Sequence, residues 1–249
     1  MVMEELLKKY DITKFEENMS ILGINLEKRQ ICQFLNYYEL LIQWNSFMNL
    51  TAITEFDEVI VKHFIDSVSL IKAVPDLSQR SDTLIDVGSG AGFPGIPLKI
   101  VFPGLKITLL DSLNKRVQFL NEVINVLGLS DITVIHGRAE DYAKPGQLRE
   151  NFDFCVSRAV ANLATLSEYC LPFIKNNGYF ISYKSEKITE EYDHAKKAIN
   201  VLGGNYEKQV EFVLPGSDIY RNLFIVKKVK NTPVKFPRKA GLPSKEPII

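Results

Sequence analysis

Apolar residues in the first part of the chain recur at helical spacing. Between Leu26 and Phe47, the positions Ile31, Phe34, Leu35, Tyr38, Leu41, Ile42 and Phe47 fall three to four residues apart, which predicts a long amphipathic helix. Upstream, Thr13-Lys14-Phe15-Glu16 has the form of a capping box and predicts a helix start in which Thr13 caps and Glu16 reaches back. Trp44-Asn45 and Asn49-Leu50-Thr51 make a polar break, and Thr54 with Asp57 opens another helix carrying His63 and Asp66. No glycine-rich or low-complexity linker follows, so residues 1–80 are expected to form a helical extension packed on the remainder.

From residue 81 the pattern changes to short apolar runs alternating with amphipathic ones. Strands are predicted at Thr83–Val87, Lys106–Leu110, Ile132–His136, Phe152–Ser157, Gly178–Tyr183, Gln209–Leu214 and Asn222–Val229. Helices are predicted between them at about Pro94–Val101, Leu113–Leu127, Asn162–Ile174 and Lys187–Leu202. Strand–helix alternation with apolar strands predicts an α/β fold: a mostly parallel, Rossmann-like, seven-stranded sheet with helices on both faces. Ligands of such sheets bind at the carboxyl ends of the strands. The last two strands are close enough to pair antiparallel. The organisation expected is thus an extension over 1–80, a core domain over 81–230 and a tail over 231–249. That tail holds four prolines, and by this reading it cannot be a helix or a central strand.

Composition alters this picture little. The chain is 46% apolar and 24% charged, ordinary for a globular protein, and no stretch approaches the roughly 18 apolar residues of a membrane helix. The N-terminus is charged from Glu4 onward, unlike a signal peptide. Cys32, Cys155 and Cys170 are widely spaced within apolar segments and read as free thiols in a reducing cytoplasm. Net charge is zero, but residues 201–249 carry nine bases against four acids, and residues 1–60 ten acids against five bases. A neutral protein with a basic end can still grip phosphates.

The chemistry concentrates in TLIDVGSGAGFPGIPLKIVFPGLKITLLDS, residues 83–112. A glycine loop between a strand and a helix start lets a ligand lie against bare backbone N–H groups, and the helix dipole favours a negative group there. An acid closing the second strand, Asp111, can accept hydrogen bonds from ribose hydroxyls. Gly90-Ala91-Gly92-Phe93-Pro94-Gly95 fits the dinucleotide pattern G-x-G-x-x-G, so a nicotinamide enzyme is one reading. Taken from Asp86, the same stretch is D-x-G-x-G-x-G and resembles the first motif of class I S-adenosylmethionine methyltransferases. That resemblance implies a loop around the methionine end of the cofactor, Asp111 on the ribose, and Glu140 near the adenine.

The acceptor is narrowed by what is missing. Ser157-Arg158-Ala159-Val160 lacks the Asn/Asp-Pro-Pro-aromatic loop usual in amino-group methylation of bases. Cys155 lies inside a strand, not at its mouth, which disfavours cytosine-C5 chemistry. His63, His136 and His194 show no ligand spacing, so no metal is expected. An acceptor that is already nucleophilic, such as guanine N7, remains, with a small-molecule acceptor as the alternative.

Several further stretches give the chain a specific resemblance. They are Trp44-Asn45 with Asn49-Leu50-Thr51, His63-Phe64-Ile65-Asp66-Ser67, the loop Asp86–Gly95, Leu110-Asp111-Ser112-Leu113-Asn114-Lys115-Arg116, Arg138-Ala139-Glu140, Ser157-Arg158-Ala159, and Phe236–Pro243 in the tail. In this order they resemble the bacterial 16S rRNA guanine-N7 methyltransferases of the RsmG (GidB) family. The resemblance implies S-adenosylmethionine as cofactor, with contacts at Gly88, Gly90, Phe93, Asp111, Ala139, Glu140 and Arg158. It implies a guanine in the decoding-region loop of 16S rRNA as target, and hence the small ribosomal subunit as partner. A cytoplasmic monomer with no membrane contact is expected. From the residues alone, Arg158 can clamp a carboxylate or phosphate, or make an ordinary ion pair. His63 and Asp66 can face the target base or bond within their helix; Trp44 can stack a base or join the core. Lys235, Arg238 and Lys239 are expected on RNA phosphates.

Overall fold

The computed structural model of the chain describes residues 3–158, 161–185 and 188–249, with side chains from Leu6 onward. Ala159 and Val160, which close the Ser157-Arg158 motif, and Lys187, the expected start of a helix, lie outside the described residues.

The N-terminal part is helical: α1 (Met3–Lys9), α2 (Thr13–Ile21) and α3 (Lys28–Met48). A broken helical run follows, made of α4 (Phe56–Val59), a π-helical turn (Ile60–Ile65), α5 (Asp66–Val68) and a 3-10 turn (Ser69–Lys72). The capping box predicted at Thr13 does not form, since the cap position is Ile12 and the Thr13 amide instead donates to Asp11 Oδ1. A capping box forms at α3, where Glu27 is the cap and its N–H donates to Gln30 Oε1 at 2.8 Å. The region of His63 is thus not the plain α-helix that periodicity predicts. The wider π turn changes which side chains share a face, and such turns recur at functional sites.

The rest is β1 (Thr83–Val87), α6 (Gly95–Val101), β2 (Lys106–Asp111), α7 (Asn114–Leu127), β3 (Ile132–His136), α8 (Ala139–Tyr142), β4 (Phe152–Arg158), α9 (Leu163–Cys170), β5 (Ile174–Lys184), α10 (Thr189–Val201), β6 (Gly204–Val213), β7 (Tyr220–Lys228) and α11 (Leu242–Lys245). They build one seven-stranded sheet in the order β3-β2-β1-β4-β5-β7-β6. Strands β1 to β5 pair parallel, and β7 lies antiparallel between β5 and β6. Every apolar run assigned to a strand is a strand. Two short elements escaped the pattern. Arg138 caps, and Ala139 and Glu140 begin, the helical turn α8, and the proline-containing tail holds α11 with Pro243 in its first turn, where proline's missing N–H costs nothing.

Both faces of the sheet are covered. On one, Phe15, Phe34 and Phe64 from the N-terminal helices join Phe93 and Phe119 in a cluster that also takes Ile107, Ile181 and Ile225 from the strands. Polar ties fix the same interface: the Gln30 and Gln33 side-chain amides each donate at 2.8 Å, to the carbonyls of Ile100 and Leu127 at the ends of α6 and α7. On the other face, Phe173, Phe180 and Phe224 pack with residues of α9 and α10, and Phe236 of the tail is buried among them. All three cysteines are buried and unpaired. No helix of the described residues is long and apolar enough to cross a membrane.

Candidate active site

The strand order reverses between β1 and β4, and the loops after β1, β2, β3 and β4 meet at that point. After β1 the backbone takes positive φ at Gly88, Gly90 and Gly92, with φ 75°, 60° and 95°, a path that only glycine follows without strain. The loop is pinned to the next strand, Gly88 N–H donating to the Leu110 carbonyl at 2.8 Å. Asp86, fully buried beneath it, accepts from Gly95 N–H at 2.9 Å and so ties the start of α6 to β1. Burial pushes the Asp86 carboxyl up to about 7.

Asp111 ends β2 with its carboxylate under the loop. Its two oxygens accept from Gly90 N–H at 2.8 Å and Leu113 N–H at 2.9 Å, and Arg116 stands 3.6 Å away. Each oxygen has a second lone pair, so hydroxyl donors can still be accepted. Loop, Asp111 and Phe93 line one cavity of about 400 Å³, which His63 and Arg158 also border. A second, of about 250 Å³, continues past Gly88 and Ser112 to Ala139 and Glu140. Glu140 is buried and accepts from Gly241 N–H of the tail at 2.8 Å.

A third and larger cavity, about 860 Å³, opens on the far side of His63 and Arg158, against Asp66, Tyr183, Lys184 and Arg221. Its wall is an ion-pair network. Asp66 accepts from Arg158 at 2.9 Å through one oxygen and from Arg221 at 2.8 Å through the other. Arg158 also donates to the Lys62 carbonyl, lies 3.3 Å from His63 Nδ1, and places its guanidinium 5.1 Å from the Phe93 ring centre. His63 stacks on Phe93 at 4.5 Å and meets the Thr51 hydroxyl through Nε2 at 2.9 Å. Burial, reinforced by Arg158, pushes the imidazole down to about 3, so His63 is neutral at physiological pH.

The structure therefore gathers Gly88, Gly90, Phe93, Asp111, Ala139, Glu140 and Arg158 along one cleft. His63 borders both that cleft and the larger cavity, and Asp66 borders the larger cavity. Trp44 does neither: it packs on Phe119, with ring centres 5.6 Å apart. Cys155 is enclosed in β4. Arg221 and Glu191, which holds Lys184 at 2.7 Å, were missed by sequence reasoning, because no motif marks residues that reach a site from distant strands and helices. Of the tail bases expected on RNA, Lys235 and Lys239 are exposed. Arg238 is not available in that way, since its guanidinium is held by Glu168 at 2.7 to 3.0 Å.

A glycine loop after β1, a buried acid ending β2, a polar turn after β3 and this strand order define a class I S-adenosylmethionine-dependent methyltransferase fold. Known structures agree on the fold. The YcgJ protein from Bacillus subtilis superposes with a TM-score of 0.50 at 13% identity, covering 66% of this chain and 99% of its own. A chain from work on conversion of a disulfide bond into a thioacetal group during echinomycin biosynthesis gives 0.51 at 15%, covering 67% and 82%. Residues 30–220 match the GidB family, rRNA small subunit methyltransferase G. The ribosomal RNA small subunit methyltransferase G of Lachnoclostridium phytofermentans is 56% identical over 96% of this chain and 98% of its own length. That of Acetivibrio thermocellus is 53% identical over 93% and 94%. The chain belongs to the rRNA small subunit methyltransferase G family.

Proposed function

We propose that this chain transfers a methyl group from S-adenosylmethionine to N7 of a guanine in the decoding-region loop of 16S rRNA. The observation that carries this reading is the junction of two cavities. The cleft along Gly88, Asp111 and Glu140 and the larger cavity beside it share His63 and Arg158 as common walls. Such a junction suits a cofactor on one side and a base on the other.

The residues of the cleft fit the cofactor. Bare backbone at Gly88 and Gly90 accommodates the amino-acid end, Asp111 accepts from the ribose hydroxyls, and Ala139 and Glu140 border the adenine. When bound, S-adenosylmethionine supplies an electrophilic methyl group on a sulfonium. Guanine N7 carries its lone pair in the ring plane, so no side chain has to remove a proton and no thiolate has to form a covalent adduct. What the chain must do is align the base and exclude water. Guanine presents O6 beside N7 on the same edge, whereas adenine presents an amino donor there. Arg158, a group with donors only, stands at the junction where that edge must face, and favours guanine. Asp66, bonded to Arg158 and Arg221 together, fixes the guanidinium in place.

The test is methylation in vitro. Small subunits from a strain lacking the gene are incubated with the purified chain and S-adenosylmethionine, and the rRNA is digested for mass spectrometry. One N7-methylguanine in a decoding-region fragment is expected. Methyl incorporation at another base, or none into 16S rRNA, overturns the proposal.

A further inference from the structure

The tail, read from sequence as a basic arm for RNA, is folded against the protein. Arg149 holds its beginning by donating to the carbonyls of Thr232, Pro233 and Phe236, and the Phe236 ring is buried. Arg238 then makes a two-pronged ion pair with Glu168 of α9, which is 1% exposed, and the Arg238 N–H donates to the same carboxylate at 2.7 Å. Further on, Thr165 donates to the Pro243 carbonyl at 3.1 Å, and Lys197 to that of Ile249 at 2.9 Å. These anchors carry the segment across one particular place. At Gly241 the backbone turns through φ 83° and its N–H reaches Glu140, while Ser244 lines the 250 Å³ cavity opposite Gly88, Ala139 and Glu140.

We infer that residues 240–246 form the outer wall of the adenosine end of the cofactor cleft and are a cofactor-binding element. The inference rests on reading that cleft as the S-adenosylmethionine site. Its chemistry suits a purine. Glu140 has one oxygen fixed by the Gly241 amide and a second with which to accept from an exocyclic amino group. The Ser244 hydroxyl donates to the Gly241 carbonyl at 3.0 Å, which leaves its oxygen as an acceptor. Tyr169 lines the same cavity beside Ser244 and offers an aromatic side chain to it. The Arg238–Glu168 pair is a positioning contact: it touches nothing in the cleft, but it sets where the wall begins. The match to the family ends at residue 220, so this wall lies outside the matched segment.

Ending the chain after Lys239 removes Gly241 and Ser244 but keeps Arg238 and Phe236 anchored. S-adenosylhomocysteine and methylthioadenosine, which lacks the amino-acid end, are titrated by calorimetry against intact and shortened chains. Both dissociation constants are expected to rise about tenfold, the effect of uncovering roughly 60 Å² of purine surface. Dissociation constants within about twofold of the intact chain overturn the inference. Hydrogen exchange on the intact chain tests the same point without a variant. Saturation with S-adenosylhomocysteine should slow the amides of residues 240–246, and unchanged exchange there counts against the wall. Failure of the intact chain to bind S-adenosylhomocysteine at all sinks the reading of the cleft itself, a result distinct from either.

Discussion

Asp86 is a carboxylic acid in a place that disfavours its charge. It is fully buried, one oxygen accepts from Gly95 N–H, and among the described residues the other, Oδ1, has no hydrogen-bond partner. Its ordinary value of 3.8 rises to about 7 in the fold. Between those values the folded chain binds a proton that the unfolded chain has lost, so this group's contribution to stability falls as pH rises. His63 acts in the opposite sense. Its value drops from 6.5 to about 3, the unfolded chain holds the extra proton, and stability falls as pH drops through that window. The two oppose each other in mild acid, and above pH 6.5 only Asp86 is still titrating. Asp86→Asn removes one of them while keeping an oxygen to accept from Gly95. Measured by urea unfolding, the variant should gain on the parent between pH 5 and pH 8, by at most about 3 kcal/mol over the part of the shift that lies in that range. A difference that does not change with pH rules out a protonated Asp86 in the folded chain.

At the scale of elements, the site depends on how closely the glycine loop and α6 approach β2. A Cβ on Gly95 would lie 2.3 Å from Leu109 Cδ2 and 3.0 Å from the Asp86 carboxylate. On Gly90 the nearest atom would be 4.0 Å away, but φ there is +60°. The two alanine variants should therefore fail for different reasons. Gly95→Ala should cost about 3 kcal/mol through overpacking and push α6 off the sheet. Gly90→Ala should cost about 1 kcal/mol through its backbone alone. Thermal unfolding distinguishes them, at about 2–4 °C per kcal/mol for a chain of this size; equal losses contradict the packing argument. This contrast also marks what the sequence discloses. The apolar runs at Thr83, Lys106 and Ile132 and the glycines between them reveal the sheet and the cleft, because strand burial and positive φ leave direct traces in residue choice. The Asp66 network leaves none. Arg158 and Arg221 meet Asp66 across 92 and 155 residues, and single arginines on strand ends look alike until the sheet order brings them together. The π turn under His63 is equally silent, since Ile60–Ile65 keeps a helical composition. The tail misleads for a related reason. Its prolines and bases suit a solvated arm, and only the buried Glu168 shows that one base is spoken for.

For the whole molecule, zero net charge means that any hold on RNA comes from where charges stand, not from their sum. Around the large cavity the bases are mostly committed: Arg158 and Arg221 to Asp66, Lys184 to Glu191, and Lys62 to Glu58. The tail divides its residues by direction. Arg238 reaches inward to Glu168 and Gly241 to Glu140, and Ser244 borders the adenosine-end cavity, whereas Lys235, Lys239 and Lys245 are exposed and, among the described residues, make no ion pair. One segment can then serve cofactor and RNA together, with its inner side on the adenosine end and its outer side towards phosphates. Substituting Lys235 and Lys239 by alanine removes outward charge without touching the Arg238 anchor. Small-subunit binding by the double variant, followed from low to high salt, should weaken at every concentration. The slope of log affinity against log salt should become shallower by up to about two, one for each phosphate no longer neutralised. S-adenosylhomocysteine affinity should be unchanged, since neither lysine lines the cleft. An unaltered salt slope removes these lysines from the RNA interface, and a matching loss of cofactor affinity would mean that the two sides of the tail are not separable.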